Sequence, residues 1–172
     1  CVCADKIKKP GDALKYFDIA VQKKYNLANA YIGKAGALKD LKKNDEYVAT
    51  LKEGLEAVPG NKTLTKLYAT YYVNQGILAQ RAKKNSAAEE AFKQAVSIQP
   101  DNVNALNSLG SLYYNQGATL LKTDADKAKE EFKQAKEYLD KLIPLLSADK
   151  PAQKKMKDNA NTMLNFINSQ LQ

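Results

Sequence analysis

Three stretches of the chain share one arrangement of apolar and polar positions. DALKYFDIAV from Asp12, AAEEAFKQAV from Ala87 and KAKEEFKQAK from Lys127 each contain Ala-x-x-x-Phe-x-x-Ala. The triplets are Ala13/Phe17/Ala20, Ala88/Phe92/Ala95 and Ala128/Phe132/Ala135, and they use three of the four Phe in the chain. Offsets of 0, 4 and 7 put three side chains on one face of an α-helix. A large ring between two small residues lets a second helix approach closely around a knob. A fourth copy is degenerate, with Tyr47, Leu51 and Gly54 in the same frame.

The spacing of these copies is regular. Ala20 to Gly54 is 34 residues, Gly54 to Ala95 is 41 and Ala95 to Ala135 is 40. After two of the copies come VPGN (58–61) and QPDN (99–102). Their prolines stop a helix, and Gly, Asp and Asn supply a turn. Between each turn and the next Ala-Phe-Ala helix lies a second apolar-periodic stretch with an aromatic, then Asn-Gln-Gly: TYYVNQG to Gly76 and SLYYNQG to Gly117. The extra seven and six residues follow these phrases, as ILAQRAKK and ATLLKTDA. Both are helix-compatible and amount to nearly two turns. Long helices are therefore predicted over Lys62–Lys84 and Val103–Lys122. Gly76 and Gly117 then fall inside a helix, at about 1 kcal/mol each relative to Ala.

A 34-residue helix–turn–helix unit of this kind closely resembles the tetratricopeptide repeat family, over nearly all of residues 1–146. Leu106, Leu109, Gly110 and Tyr113 agree in phase with it, as do Tyr68, Ala69 and Tyr72, and Tyr31, Ala35 and Leu38. The lengthened units look like those of bacterial, Bacteroidetes-like members. The departures are Tyr47 and Gly54, where the family prefers alanines, and Lys34 at an apolar position. That repeat is expected to pack least tightly. The resemblance implies an all-α, right-handed superhelix (an α–α solenoid) of about three and a half hairpins. One domain over 1–172 then divides into a truncated first repeat (1–25), a second (26–60), lengthened third and fourth repeats (61–101 and 102–146) and a cap (147–172). Residues 1–9 read as the end of a first helix, with Pro10-Gly11 as its turn. Residues 149–170 read as the cap helix, with Ser147 or Asp149 capping its start and Pro151 in its first turn.

Composition narrows the chemistry. The chain has no His and no Trp, which removes the commonest general base and zinc ligand. No nucleophile–base arrangement is visible, so no enzyme, cofactor or metal is expected. Cys1 and Cys3 lie two apart on a helix, cannot bridge without distortion, and lack the partners of a metal site. They read as free thiols, with a lipid-modified Cys1 as an alternative. Met156 and Met163 read as core. Of 27 basic residues only Arg81 is Arg, and the net charge of +8 is spread: residues 61–100 hold six basic and two acidic side chains, residues 101–146 six and seven. A solvated lysine surface explains this better than phosphate recognition, which favours Arg. No apolar run approaches the roughly 20 residues of a membrane span. The compartment is open, with a lean to the periplasm or cell envelope of a Gram-negative bacterium.

What remains is a binding surface. In the family the first helix of each pair lines a concave groove. The corresponding positions here include Asn29, Ile32, Gly33, Gly36, Lys39 and Asp40, then Lys66, Leu67, Thr70, Val73 and Asn74, then Asn104, Asn107, Ser108, Ser111, Tyr114 and Asn115. Asn29, Lys66, Thr70, Asn74, Asn104, Asn107, Ser111, Tyr114 and Asn115 are the candidate contacts. Asn both donates and accepts, which suits an extended peptide backbone. Only Lys66 could serve a chaperone-tail clamp, so that specificity is not carried over. The expected function is a non-catalytic scaffold for a protein or peptide partner. Two alternatives are an anionic-surface binder, for nucleic acid or acidic lipid, using Arg81, Lys83, Lys84 and Lys154/Lys155/Lys157, and self-association through the truncated first repeat.

Overall fold

The computed structural model describes residues 9–172, so Cys1, Cys3 and the expected first-helix remnant lie outside the described residues. Within them are eight α-helices and one short 3₁₀ turn. They are α1 (Pro10–Gln22), α2 (Leu27–Asp40), α3 (Asn44–Ala57), α4 (Lys62–Arg81), α5 (Asn85–Ile98), α6 (Val103–Leu120), α7 (Ala125–Leu142) and α8 (Pro151–Leu171), with the 3₁₀ turn at Ile143–Leu145. The chain forms two compact units, Cys1–Tyr71 and Tyr72–Gln172, so the boundary falls inside α4.

In the first unit a core of Tyr31, Ala35, Leu38, Tyr47, Leu51 and Leu64 forms between α2, α3 and the start of α4. The degenerate Tyr47/Leu51/Gly54 copy keeps its phase by redistributing volume. Tyr47 is buried and its ring meets Tyr71 at 6.0 Å. Leu51 is fully buried. A Cβ on Gly54 would lie 3.0 Å from Tyr31 and 3.2 Å from Leu64, so the expected alanine would press on both neighbours. Lys34 is accommodated by an ion pair: its Nζ lies 2.8 Å from Asp18 Oδ1 on α1.

The second unit is built on the repeated knob. Phe92 and Phe132 are completely buried, as are Ala88, Ala95, Ala128 and Ala135 beside them. Gly76 and Gly117 are helical, as predicted, and the packing gives the reason. A Cβ on Gly76 would strike the Phe92 ring; one on Gly117 would lie 2.7 Å from the Phe132 ring and 3.1 Å from the Ala128 carbonyl oxygen. Met156 and Met163 of α8 pack on this core with Ala160, Leu164 and Ile167.

Several boundaries differ from expectation. Pro10 and Gly11 open α1 instead of forming a turn, with Pro10 where a missing N–H costs nothing. α4 stops at Arg81, not Lys84, because Lys83 turns left-handed (φ 58°). Its N–H then donates to the Gln80 carbonyl and that of Lys84 to Ala79, both at 2.9 Å, closing the helix in a Schellman motif. Lys42 (φ 59°) closes α2 the same way. α6 ends at Leu120, two residues early, as the Thr123 and Asp124 N–H groups turn back onto the Leu120 carbonyl. The N-cap of α8 is Lys150, with no side-chain capping bond. Ser147 and Asp149 bond each other, and the Ser147 N–H donates to Gln153 Oε1. The turn asparagines are caps as well. Asn61 Oδ1 accepts from the N–H groups of Thr63 and Leu64, and Asn102 Oδ1 from that of Ala105.

Candidate functional site

The candidate contacts are distributed over both units. In the first, Asn29 is exposed on α2, and Lys66 and Thr70 are exposed one turn apart on α4. In the second, Asn74 is exposed on α4. Asn104, Asn107, Ser111 and Asn115 recur every three or four residues along α6 and so share one face. Asn104 and Asn115 are exposed, Asn107 and Ser111 half-buried. The opposite side of the same helix is pinned by Ala105, Leu106, Leu109, Leu112 and Tyr113, all buried. Sequence and packing thus give a rigid rod with one polar, accessible stripe.

One candidate contact, Tyr114, and two further groove positions, Val73 and Gly33, are less available than their position suggests. The Tyr114 ring packs at 5.7 Å, edge-on, against Phe166 of α8 and at 6.1 Å against Phe132. Part of its surface therefore serves the core. Val73, placed on the groove by position, is buried in the core of the second unit instead, as its apolar side chain favours. Gly33 is similarly covered, by the Phe17 ring.

A polar cluster that the sequence did not single out joins α5, α6 and α7. The Tyr113 hydroxyl donates to Glu89 Oε1 at 2.7 Å, and Lys93 Nζ donates to the same oxygen at 2.6 Å. The Tyr113 and Tyr138 rings stack nearly parallel at 5.8 Å. Burial raises the Tyr113 hydroxyl, and with the Glu89 carboxylate opposing its ionisation it is pushed up to about 12. Burial alone would raise Glu89, but the hydrogen bonds from Lys93 and Tyr113 outweigh it and hold the carboxyl below its ordinary range. Beside this cluster lies a cleft of about 450 Å³ lined by Gln80, Asn85, Asn115, Gln116, Thr119 and Glu131 among others. Only Asn115 of these was a candidate from sequence. Among the described residues no group of His, Cys, Asp and Glu could hold a metal ion, and no helix is long and apolar enough to cross a membrane.

A TPR repeat family model matches residues 82–117, which run from the end of one long helix through the Asn-Gln-Gly phrase of the next. A TPR repeats protein from Bacteroides fragilis, known from its crystal structure, is 44% identical and covers 94% of this chain and 79% of its own, with a TM-score of 0.73. The chain belongs to the TPR family. Its fold is an all-α helical-repeat solenoid, and TPR proteins generally mediate protein–protein interaction without catalysis. A MamA protein structure aligns over 97% of this chain and 87% of its own at 16% identity, with a TM-score of 0.38. No curated protein matches. The TPR assignment accounts for the buried Ala-Phe-Ala faces of α5 and α7.

Proposed function

We propose that this TPR protein is a non-catalytic scaffold that captures an extended segment of a partner protein along the polar faces of its first-of-pair helices. The observation that supports this reading most is the α6 stripe of Asn104, Asn107, Ser111 and Asn115, on a helix whose other side is fixed in the core. A rigid helix lowers the ordering cost of binding, and Asn amides match both the N–H and C=O groups of a peptide. Within the same unit, Asn74 and the free edge of Tyr114 offer the same chemistry, and Asn29, Lys66 and Thr70 are exposed polar positions of the first unit. Trp at Asn104 or Asn115, both exposed, would block the stripe without entering the core. Capture of the cognate segment should fall at least tenfold with an unchanged melting temperature. Unchanged capture by both variants would refute the reading.

A further inference from the structure

Among the acids of α7, Glu131 is set apart by its surroundings. Glu130, Glu137 and Asp140 of the same helix each meet a lysine at 2.7 or 2.8 Å. Glu131 meets none. Its Oε2 is shut off from solvent and accepts no hydrogen bond. The groups around it come from four helices. Gln80 of α4, Asn85 of α5 and Asn115 and Gln116 of α6 line the same cleft and are neutral, and Gln116 Oε1 is itself a closed-off acceptor. The charged groups acting on Glu131 are both on α5, the Glu89 carboxylate and Lys93. Lys93 is already committed to Glu89, at 2.6 Å, and the Tyr113 hydroxyl donates to that same Glu89 oxygen. Lys127, one turn earlier on α7, is committed to Asp124 at 3.1 Å. Two carboxylates, one on α5 and one on α7, therefore stand against a single lysine that bonds only one of them.

We propose that Glu131 is a proton-sensing contact between the last two hairpins: ionised, it weakens the packing of α7 beside α5, and proton uptake in mildly acid solution tightens it. An unpaired carboxylate oxygen closed off from water is costly, and a neutral carboxyl in the same place costs much less. Proton uptake at either oxygen discharges the whole group, so nothing has to enter the closed space beside Oε2. Burial raises the Glu131 carboxyl most, the Glu89 carboxylate raises it further, and Lys93 opposes both. A raised folded-state value means that the native chain holds this proton more tightly than the unfolded chain. The stability Glu131 contributes is then complete below the ordinary carboxylate range and is lost as pH rises through its raised value. Glu89 runs the other way: it is lowered, so its contribution is lost only in stronger acid. Between the two lies a mildly acid window in which the α5–α7 contact is firmest.

The test needs only the full chain and no partner. The Glu131 side-chain carboxyl carbon can be followed by NMR through an acid-to-neutral titration, and urea midpoints measured at about pH 5.5 and about pH 8, either side of the expected titration. Glu131 should titrate above the ordinary 4.5, and the unfolding constant should be several-fold smaller at the lower pH. Glu131→Gln, which removes the charge and keeps the shape, should abolish most of that difference and exceed the parent in stability at the higher pH. Glu90→Gln, at an exposed position of α5, should leave the difference intact. Glu89→Gln should move the Glu131 titration back toward the ordinary value. Titration of Glu131 at or below 4.5, or the same pH difference in Glu131→Gln, would overturn the proposal. So would a crystal structure at the higher pH with the Gln116 amide turned to donate to Glu131, because the ionised carboxyl would then be satisfied.

Discussion

Gly76 and Gly117 occupy helix interiors where alanine is the better helix former by about 1 kcal/mol. They persist because the rings of Phe92 and Phe132 fill the space a Cβ needs, and both rings are fully buried with nowhere to move. Gly76→Ala and Gly117→Ala should therefore destabilise by about 1–3 kcal/mol through overpacking, read as a lower urea midpoint. Gly36 of α2 is the control: it is exposed, with nothing within 4 Å of a Cβ, so Gly36→Ala should stabilise by about 0.5–1 kcal/mol. If all three variants moved in one direction, the ring contact would not be the reason for the glycines. Lys83 poses the opposite case, a side chain in a left-handed position that favours glycine. Lys83→Gly should raise stability by about 1 kcal/mol, checked on the same unfolding curves. The sequence showed the Phe knobs and the glycines but not their pairing, because the two sit on different helices. It held no sign of the Lys83 turn, since lysine carries no preference for that conformation.

At the level of the helix, periodicity was informative and ends were not. The 0, 4, 7 pattern placed α5 and α7, and the two apolar insertions correctly lengthened α4 and α6. The starts of α4 and α6 fell where expected, at Lys62 and Val103, while their C-terminal ends came three and two residues early because backbone turns, not apolar spacing, set them. Replacing Asn61 or Asn102 with Ala should cost about 1 kcal/mol, measured by thermal or urea unfolding, since each side chain holds N–H groups of the first helical turn. The Glu89–Lys93–Tyr113 cluster ties α5 to α6 and makes that tie pH-dependent. Tyr113 is raised from 10.0 to about 12, so its contribution is complete below about pH 10 and is lost as pH rises toward 12. Glu89 is lowered, so its contribution is present above the ordinary carboxylate range and is lost as acid titrates it. Tyr113→Phe should flatten the alkaline loss of stability between pH 10 and 12 in denaturation midpoints. An unchanged slope would show that the hydroxyl does not carry it.

Across the whole chain, stacked hairpins explain why so much of the sequence is spent on spacing and so little on chemistry. In the lengthened hairpins the Ala-Phe-Ala face packs on the glycine of the helix before it, Phe92 on Gly76 and Phe132 on Gly117, so the same face recurs with each hairpin and the period is plain in the sequence. The proposed binding surface was legible only as helix positions. Asn104 and Asn115 lie open as position alone suggests, yet Val73 turned inward and Tyr114 is shared with the core, because apolar bulk followed burial and not the repeat register. The cleft at Gln116 and Glu131 was not legible, since its residues come from four helices and no motif links them. The central claim is that the polar stripe of α6 is the face that holds a partner. A photo-crosslinking residue placed in turn at Asn104, at Asn115 and at the exposed Lys133 of α7 tests it most directly. The account predicts crosslinks to the same partner segment from Asn104 and Asn115 and none from Lys133. Crosslinks from Lys133 with none from α6 would contradict it.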